Sequence, residues 1–438
     1  MMRKSSRLSD RRYPFSNIEF LYSLRPTKMR LGLENITSLF DSLGNPQMKY
    51  PAVLVGGTNG KGSVTAYISS ILRLSGLKVG TFYSPHLFRI NERIRINDRE
   101  IPSAVLDRIV GRLKSGYDKN PFTFFEGVTA SAALYFLRNK VDIAVFEVGL
   151  GGRLDATRPV NAVATVITGI SIDHSSHLGR SRKAILGEKL GIARGKVPLI
   201  VNLNADSLIE KASIYCRREN TPMIDVKKNT SSRLKKITFE RMTFSLKTDK
   251  YDYGDIETRM IGKAQQINVS TAVKTIEVLG DKTGKSYIKH VKEGLEKTFL
   301  PGRFQVLDGV PRVILDTSHN EQALINSLNT LLAVSGPHRN ILLFGCMARK
   351  EPGRFPSKAL RSARKIILVP LKHKGAETGE TLLGYFNEAG SGEAKDARVV
   401  LSKGMGDALR KAKTGLKGDD TILICGSHHM VDEAVSYS

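Results

Sequence analysis

Residues 52–63 read Ala-Val-Leu-Val-Gly-Gly-Thr-Asn-Gly-Lys-Gly-Ser. An apolar run, Ala52–Val55, enters a glycine-rich turn. A lysine and a hydroxyl follow, and a helical pattern then runs from Val64 to Leu74. This is the layout of a phosphate cradle on a parallel α/β sheet. Glycines let backbone N–H groups converge on phosphate oxygens, a helix N-terminus adds positive potential, and the lysine adds a full charge. The generic loop places Ser or Thr directly after Gly-Lys. Here Gly62 intervenes and Ser63 comes one place late. An ordinary glycine-tolerant turn is the alternative. Strand, turn, lysine, hydroxyl and helix in that order favour a nucleotide, ATP first.

Outward from this loop, short β-branched runs alternate with amphipathic segments, which predicts a parallel sheet with helices on its faces. Strands are expected at 52–55, 78–83, 142–148, 162–168 and 198–202. Helices are expected at 103–114, 126–138 and 182–194. Residues 237–262 read instead as three short antiparallel strands. Pro301-Gly302 marks a break, and a second alternating series follows at 312–315, 340–344, 365–369, 398–401 and 421–425. The expected organisation is an N-terminal P-loop-type ATPase domain (1–297), a linker (298–302) and a smaller Rossmann-like α/β domain (303–438).

The 438 residues are 41% hydrophobic and 25% charged, an ordinary globular balance with length for more than one core. No apolar run of about 18 residues occurs, so no membrane-spanning helix is expected. The basic start, MMRKSSRLSDRR, lacks the apolar stretch of a secretory signal and reads as a frayed tail, with an organellar targeting peptide as the alternative. Three scattered cysteines, Cys216, Cys346 and Cys425, suit a reducing cytoplasm rather than a disulfide framework or zinc site. The net charge of +26 suits a polyanionic ligand, nucleic acid or a solvated basic surface. The basic clusters lack interleaved aromatics and the chain has no Trp, which disfavours base stacking.

Ligands of open α/β sheets gather at the carboxyl ends of strands. Glu147 closes one predicted strand, His174 follows the next, and Ser84 follows a third, so that a carboxylate and an imidazole are expected at adjacent strand ends. Together they offer a Mg²⁺ site beside the phosphates, although Mg²⁺ prefers oxygen ligands to imidazole. Singly, Glu147 reads as a satisfied buried acid and His174 as a structural hydrogen bonder. In the second domain Asp316 precedes Thr317-Ser318-His319-Asn320. Asp316 reads as a ribose ligand or as the cap of a helix starting near Asn320, with the cap favoured.

The segments GGTNGKGS (56–63), SPHL (84–87), NERI (91–94), TFFE (123–126), EVGLGGRLDAT (147–157), SIDHSSHLG (171–179), GEKLGIAR (187–194), PGRFQ (301–305) and LDTSHN (315–320) occur in one order. LGLENI (31–36), LGNPQ (43–47), FGCMARKE (344–351) and CGSHHMVDEA (425–434) join them. This set resembles folylpolyglutamate synthase / dihydrofolate synthase, within the Mur-ligase-like ATP-dependent amide ligases. The resemblance runs from about residue 18 to the C-terminus.

The resemblance implies an ATP-dependent ligase that joins L-glutamate to a folate-type acceptor, dihydropteroate or a reduced folate, through an acyl phosphate. By motif, Gly57, Thr58, Asn59, Gly60, Lys61, Gly62 and Ser63 cradle ATP, with Gln265, Asn268, Arg303, Asp316 and His319 as further ATP contacts. Ser63, Ser84, Glu147 and His174 correspond to Mg²⁺ ligands. Lys189 matches a lysine often carbamylated in the family, which supports a second Mg²⁺. A monovalent cation is a further expected ligand. Lys61, Lys189, His174 and Arg303 carry the catalytic roles. Thr123, Phe125, Asp155 and Ala156 match the pterin pocket of bifunctional members. A cytoplasmic monomer engaging neither membrane nor nucleic acid is implied. Ala264 stands where the family has histidine, Arg349 where an acid is common, and Thr317-Ser318 where smaller residues occur. The alternatives are another Mur-like amino-acid ligase, such as a cell-wall enzyme with an extra N-terminal domain for which the 55 residues before Gly56 leave no room, and a basic nucleic-acid-binding P-loop protein.

Overall fold

The run at Ala52–Gly56 is a fully buried inner strand, β1, of an eight-stranded sheet. The structure, a computed structural model, describes residues 15–24, 32–348, 350–390, 398–416 and 420–437. The basic start of the chain, Leu31 and Arg349 lie outside the described residues. The other strands of this sheet are β2 (Val79–Phe82), β3 (Ile94–Ile96), β4 (Arg99–Glu100), β5 (Ile143–Glu147), β6 (Ala162–Ile167), β7 (Leu199–Val201) and β8 (Met223–Asp225). Their order is β4-β3-β2-β5-β1-β6-β7-β8. The core strands pair parallel, and β3 pairs antiparallel with β2 and β4. The sheet is therefore mixed at one edge, where a wholly parallel sheet was expected. β5 and β1 are apolar at nearly every position, as strands covered on both faces must be.

One face carries the helices Glu34–Ser42, Ser103–Lys114, Phe124–Arg138 and Arg182–Leu190 over a core that includes Leu54, Phe82, Phe146 and Leu186. The last of these ends at Leu190, short of the expected 194, with Gly191 as its cap. The other face packs the helices Lys61–Leu74 and Lys263–Thr283.

A three-stranded antiparallel sheet leans on the second of these helices, with β9 (Thr230–Ile237), β10 (Met242–Thr248) and β11 (Asp252–Thr258) in the order β11-β10-β9. Its first strand starts seven residues before the expected 237, within the lysine-rich stretch Lys227–Lys236. The face of β9 is mostly exposed, so period-2 burial gave no signal there. Glu277, buried on the helix, accepts hydrogen bonds from Thr248 Oγ1 (2.7 Å), Tyr253 Oη (2.9 Å) and Lys274 Nζ (2.8 Å). Lys274 also pairs with Asp249. Every member of this buried network has a partner, which is the condition for a buried charge to be tolerated. The network fixes the helix that carries Gln265 and Asn268.

After Thr298 the chain runs without helix or strand to a six-stranded sheet: β12 (Gln305–Leu307), β13 (Arg312–Leu315), β14 (Asn340–Phe344), β15 (Lys365–Leu368), β16 (Arg398–Leu401) and β17 (Thr421–Cys425). The order is β12-β13-β17-β14-β15-β16, parallel except for the short edge strand β12. The helix Glu321–Ser335 sends Leu324, Leu328 and Leu331 into the same apolar cluster as Val64, Ile68 and Val269. One core thus joins the two sheets and sets their carboxyl ends facing each other. All three cysteines are free and buried. No described helix is long and apolar enough to cross a membrane.

Candidate active site

β1 ends at Gly56 and the chain turns through residues 57–60 into the helix Lys61–Leu74. Two glycines are required by geometry. Gly57 has φ +140°, and a Cβ there would lie 1.9 Å from Thr168 Oγ1. Gly60 has φ +90°, and a Cβ there would lie 2.3 Å from Asn268 Oδ1. L-residues avoid such dihedrals. The helix has no side-chain cap at its N-terminus, so its first N–H groups are available to an anion. Thr58 N donates to Gly169 O (2.8 Å), which locks the loop to the segment after β6. Lys61 Nζ donates to Thr58 O (3.2 Å) and curls over the loop. Burial lowers its pKa, opposed by the charges of Glu147 and Asp173.

Glu147 ends β5 and is buried, with Oε2 accepting from Ser84 N (3.1 Å). Burial raises its pKa, opposed by Lys61. A Cβ on Gly62 would lie 3.4 Å from Glu147 Oε2 and 3.6 Å from Arg303 Nη2. The inserted glycine thus lies near both the carboxylate of one domain and the guanidinium of the other. Arg303 Nη1 donates to Thr317 Oγ1 (3.0 Å) and Thr317 Oγ1 donates to Gly302 O (3.0 Å). Thr317, a departure from the family pattern, thus orients this arginine. Ser63 Oγ accepts from Gln265 Nε2 (3.4 Å), and Asn268 Nδ2 donates to Gln265 Oε1 (3.0 Å).

Ser63, Ser84 and Glu147 offer hard oxygen donors around a buried carboxylate, which suits Mg²⁺. Among the described residues no three His, Cys, Asp or Glu side chains gather to hold a metal. A divalent ion would therefore share its coordination with hydroxyls, waters and substrate phosphate. His174 sits elsewhere than expected. Glu147 and His174 were read at adjacent strand ends, but β1 separates β5 from β6. The His174 imidazole faces the second domain, with Nε2 3.4 Å from Lys350 Nζ and 3.9 Å from Asp173 Oδ1. Loss of water around it in the cleft lowers its pKa to about 4, with the Asp173 charge opposing. The ring is neutral at pH 7.

Asp173, quoted within a motif but given no role by sequence reasoning, organises the junction. Its carboxylate pairs with Lys350, accepts from Asn320 Nδ2 (3.2 Å), and lies 3.4 Å from His319 Nε2. Burial disfavours its charge, yet the His319 hydrogen bond and the nearby His174 and Lys350 side chains outweigh burial and hold the pKa below the usual carboxylate range. Asn59 and Asn320 exchange amide hydrogen bonds of 3.2 and 2.9 Å, and Ser171 bonds Gln322. These contacts span more than a hundred residues of chain, so no local pattern signals them.

Asp316 is not the helix cap. Asn320 is, with Oδ1 accepting from Ala323 N (3.1 Å). Asp316 instead accepts from Phe304 N (2.9 Å) and Ser318 N (2.7 Å), and so braces the turn that presents Arg303. Lys189 is buried and its Nζ donates to Gly57 O (2.8 Å). Burial, reinforced by Lys61, lowers its pKa to about 7.

Thr123, Phe125, Asp155 and Ala156 line a further arm of the same cleft. Thr123 and Glu126 form a capping box. Asp155 folds its loop, accepting from Leu150 N (2.8 Å) and Thr157 N (3.0 Å). The cleft measures about 1280 Å³ and runs from this arm past residues 57–63, Glu147 and Lys189 to His319 and Lys350.

Residues 55–276 match the Mur ligase middle domain, and residues 302–428 match the Mur ligase glutamate ligase domain. The chain is 31% identical to the dihydrofolate synthase/folylpolyglutamate synthase of Escherichia coli, over 94% of this chain and 93% of that one. The chain belongs to the folylpolyglutamate synthase / dihydrofolate synthase family of Mur ligases. The Bacillus subtilis family member is 33% identical, over 73% of this chain and 76% of that one. Among solved structures, E. coli FolC in complex with DHPP and ADP superposes with a TM-score of 0.84 at 26% identity, covering 100% of this chain and 99% of that chain. The family's two domains correspond to the two sheets whose carboxyl ends enclose the cleft.

Proposed function

We propose that the cleft joins L-glutamate to a folate-type acceptor at the expense of ATP, accepting dihydropteroate, a reduced folate, or both. One observation carries this reading: Arg303, at the start of the second domain, meets the phosphate-cradle helix at Gly62 beside Glu147. A free carboxylate is a poor electrophile. In the proposed reaction the acceptor carboxylate attacks the γ-phosphorus of ATP, giving an acyl phosphate and ADP. The glutamate amine then attacks the acyl carbon, loses a proton and expels phosphate.

Lys61 from one domain and Arg303 from the other would bring positive charge to the transferring group, which stabilises the transition state. The backbone N–H groups of residues 57–63 hold the phosphates, while Gln265, Asn268, Asp316 and His319 frame the rest of the nucleotide site. Mg²⁺, held by Ser63, Ser84 and Glu147, would neutralise phosphate charge. Lys189, once carbamylated, and His174 would support a second ion. A cleft closed between two domains keeps water from the acyl phosphate. Thr123, Phe125, Asp155 and Ala156 supply the acceptor arm.

The test is an assay of the purified protein with ATP, Mg²⁺ and L-glutamate against dihydropteroate and tetrahydrofolate in parallel. Equal yields of ADP, phosphate and glutamylated product are expected with at least one acceptor. ADP formation that ignores both glutamate and acceptor would rule the reading out.

A further inference from the structure

The acceptor arm contains a cation that none of the roles above employs. Arg93 ends the short 3-10 turn Ile90–Arg93 and lines the cleft while only 6% exposed. Its Nε donates to His86 Nδ1 (2.8 Å), and its guanidinium lies 5.4 Å from the centroid of the Phe124 ring. Tyr22 stacks on Phe124 at 5.7 Å and meets His86 edge-on at 6.4 Å. The guanidinium is thus held between an imidazole and an aromatic face, which fixes its orientation.

The register places this cation beside the reacting centre. Phe82 pairs with Ile94 on one side and Phe146 on the other. Arg93 O accepts from Tyr83 N (2.9 Å), and Ser84 N donates to Glu147. Arg93 and Glu147 therefore leave the same sheet end two strands apart, roughly 10 Å at the usual spacing. The Arg93 charge reaches the Glu147 carboxylate.

The two candidate acceptors differ in their anionic groups. Dihydropteroate has one carboxylate, and that one reacts. A folate ends in glutamate, so when its γ-carboxylate reacts its α-carboxylate must still be accommodated in the cleft. A buried carboxylate needs a counter-ion, and a fixed guanidinium satisfies it with charge-assisted hydrogen bonds.

We propose that Arg93, clamped by His86 and Phe124, binds the non-reacting α-carboxylate of a glutamyl acceptor and so determines how well the site takes folates relative to dihydropteroate. This rests on the ligase reading above. The experiment compares kcat/KM for dihydropteroate and for monoglutamyl tetrahydrofolate in the wild type, Arg93→Gln and Arg93→Lys. A charged hydrogen bond of this kind corresponds to roughly 10- to 100-fold in rate constant ratio. Arg93→Gln is expected to lower the folate value at least about tenfold more than the dihydropteroate value, chiefly through KM, with Arg93→Lys recovering part of the loss. Because Arg93 is buried and its replacement can unfold the chain, the wild type is also tested with a folate whose α-carboxylate is a carboxamide. That acceptor should lose a similar factor. Equal losses for both acceptors in Arg93→Gln, or full activity with the carboxamide, overturns the proposal. A wild type that uses dihydropteroate but no folate overturns it alone. One that uses neither overturns the ligase reading along with it.

Discussion

Lys189 Nζ donates a 2.8 Å hydrogen bond to the carbonyl oxygen of Gly57. The helix Arg182–Leu190 is thereby tied to the first residue of the phosphate cradle by an amine that is only 4% exposed. A lone carbonyl is a weak partner for a buried ammonium, which is why burial brings this lysine down to about 7.

The shift makes stability depend on pH. Below about 7 the amine is protonated in folded and unfolded chains alike, and the burial cost is present in full. Between about 7 and the ordinary 10.5 the unfolded chain binds more protons, so stability rises with pH. Urea unfolding of the wild type should gain roughly 2 kcal/mol from about pH 6.5 to about pH 8.5 relative to Lys189→Met. A flat difference between the two would contradict the depressed pKa.

The same neutral amine can react with CO₂. Addition of ¹³C-bicarbonate should give a carbamate resonance that is absent in Lys189→Met, and activity should rise with bicarbonate. A bare amine in a fully active wild type would end the carbamate assignment.

Lys61→Ala should reduce glutamate-dependent ADP formation at least about 100-fold, the scale for removing a group aimed at transition-state charge. Steady-state ADP release measures it. Turnover near the wild-type value would remove Lys61 from the phosphate site.

Gly57→Ala forces a Cβ to within 1.9 Å of Thr168 Oγ1 at φ +140°. A loss of roughly 2 kcal/mol or more in denaturant unfolding is expected. Adding Thr168→Ala should recover part of it by removing the clash, leaving the backbone strain. No recovery would mean that the strain alone dominates.

Asp173→Asn takes the counter-charge from Lys350 and replaces the carboxylate beside His319 with a neutral amide. The two domains should then unfold in separable calorimetric steps where the wild type shows stronger coupling. An unchanged single transition would show that the apolar contacts of the helix Glu321–Ser335 hold the domains together by themselves.

Much of the fold could be read from local pattern. Strands such as Asn340–Phe344 and Thr421–Cys425 are continuous apolar runs between turn signals, and they fall where the alternation placed them. The strands β3, β4 and β12 are two or three residues long and lie at or next to a sheet edge, too short to show a period. The loop at 57–63 was legible because glycine, lysine and hydroxyl are contiguous. The Asp173–Lys350 pair was not, because 177 positions separate its members. Asp316 was misread because Asp and Asn cap helices almost equally well, and only the fold shows which of the two faces Ala323 N.

Asn320 gives one amide two tasks: its oxygen starts the helix Glu321–Ser335, and its nitrogen bonds Asn59 in the nucleotide loop. A hinge motion that opens the cleft must break the second bond while leaving the first, so the helix travels intact with its domain. Opening the cleft would have to break this neutral amide pair, which salt hardly alters, together with the charged Asp173–Lys350 contact, which salt weakens. In such a machine the departure rate of ADP can be changed at position 59 or 320 without altering the charges that drive bond formation.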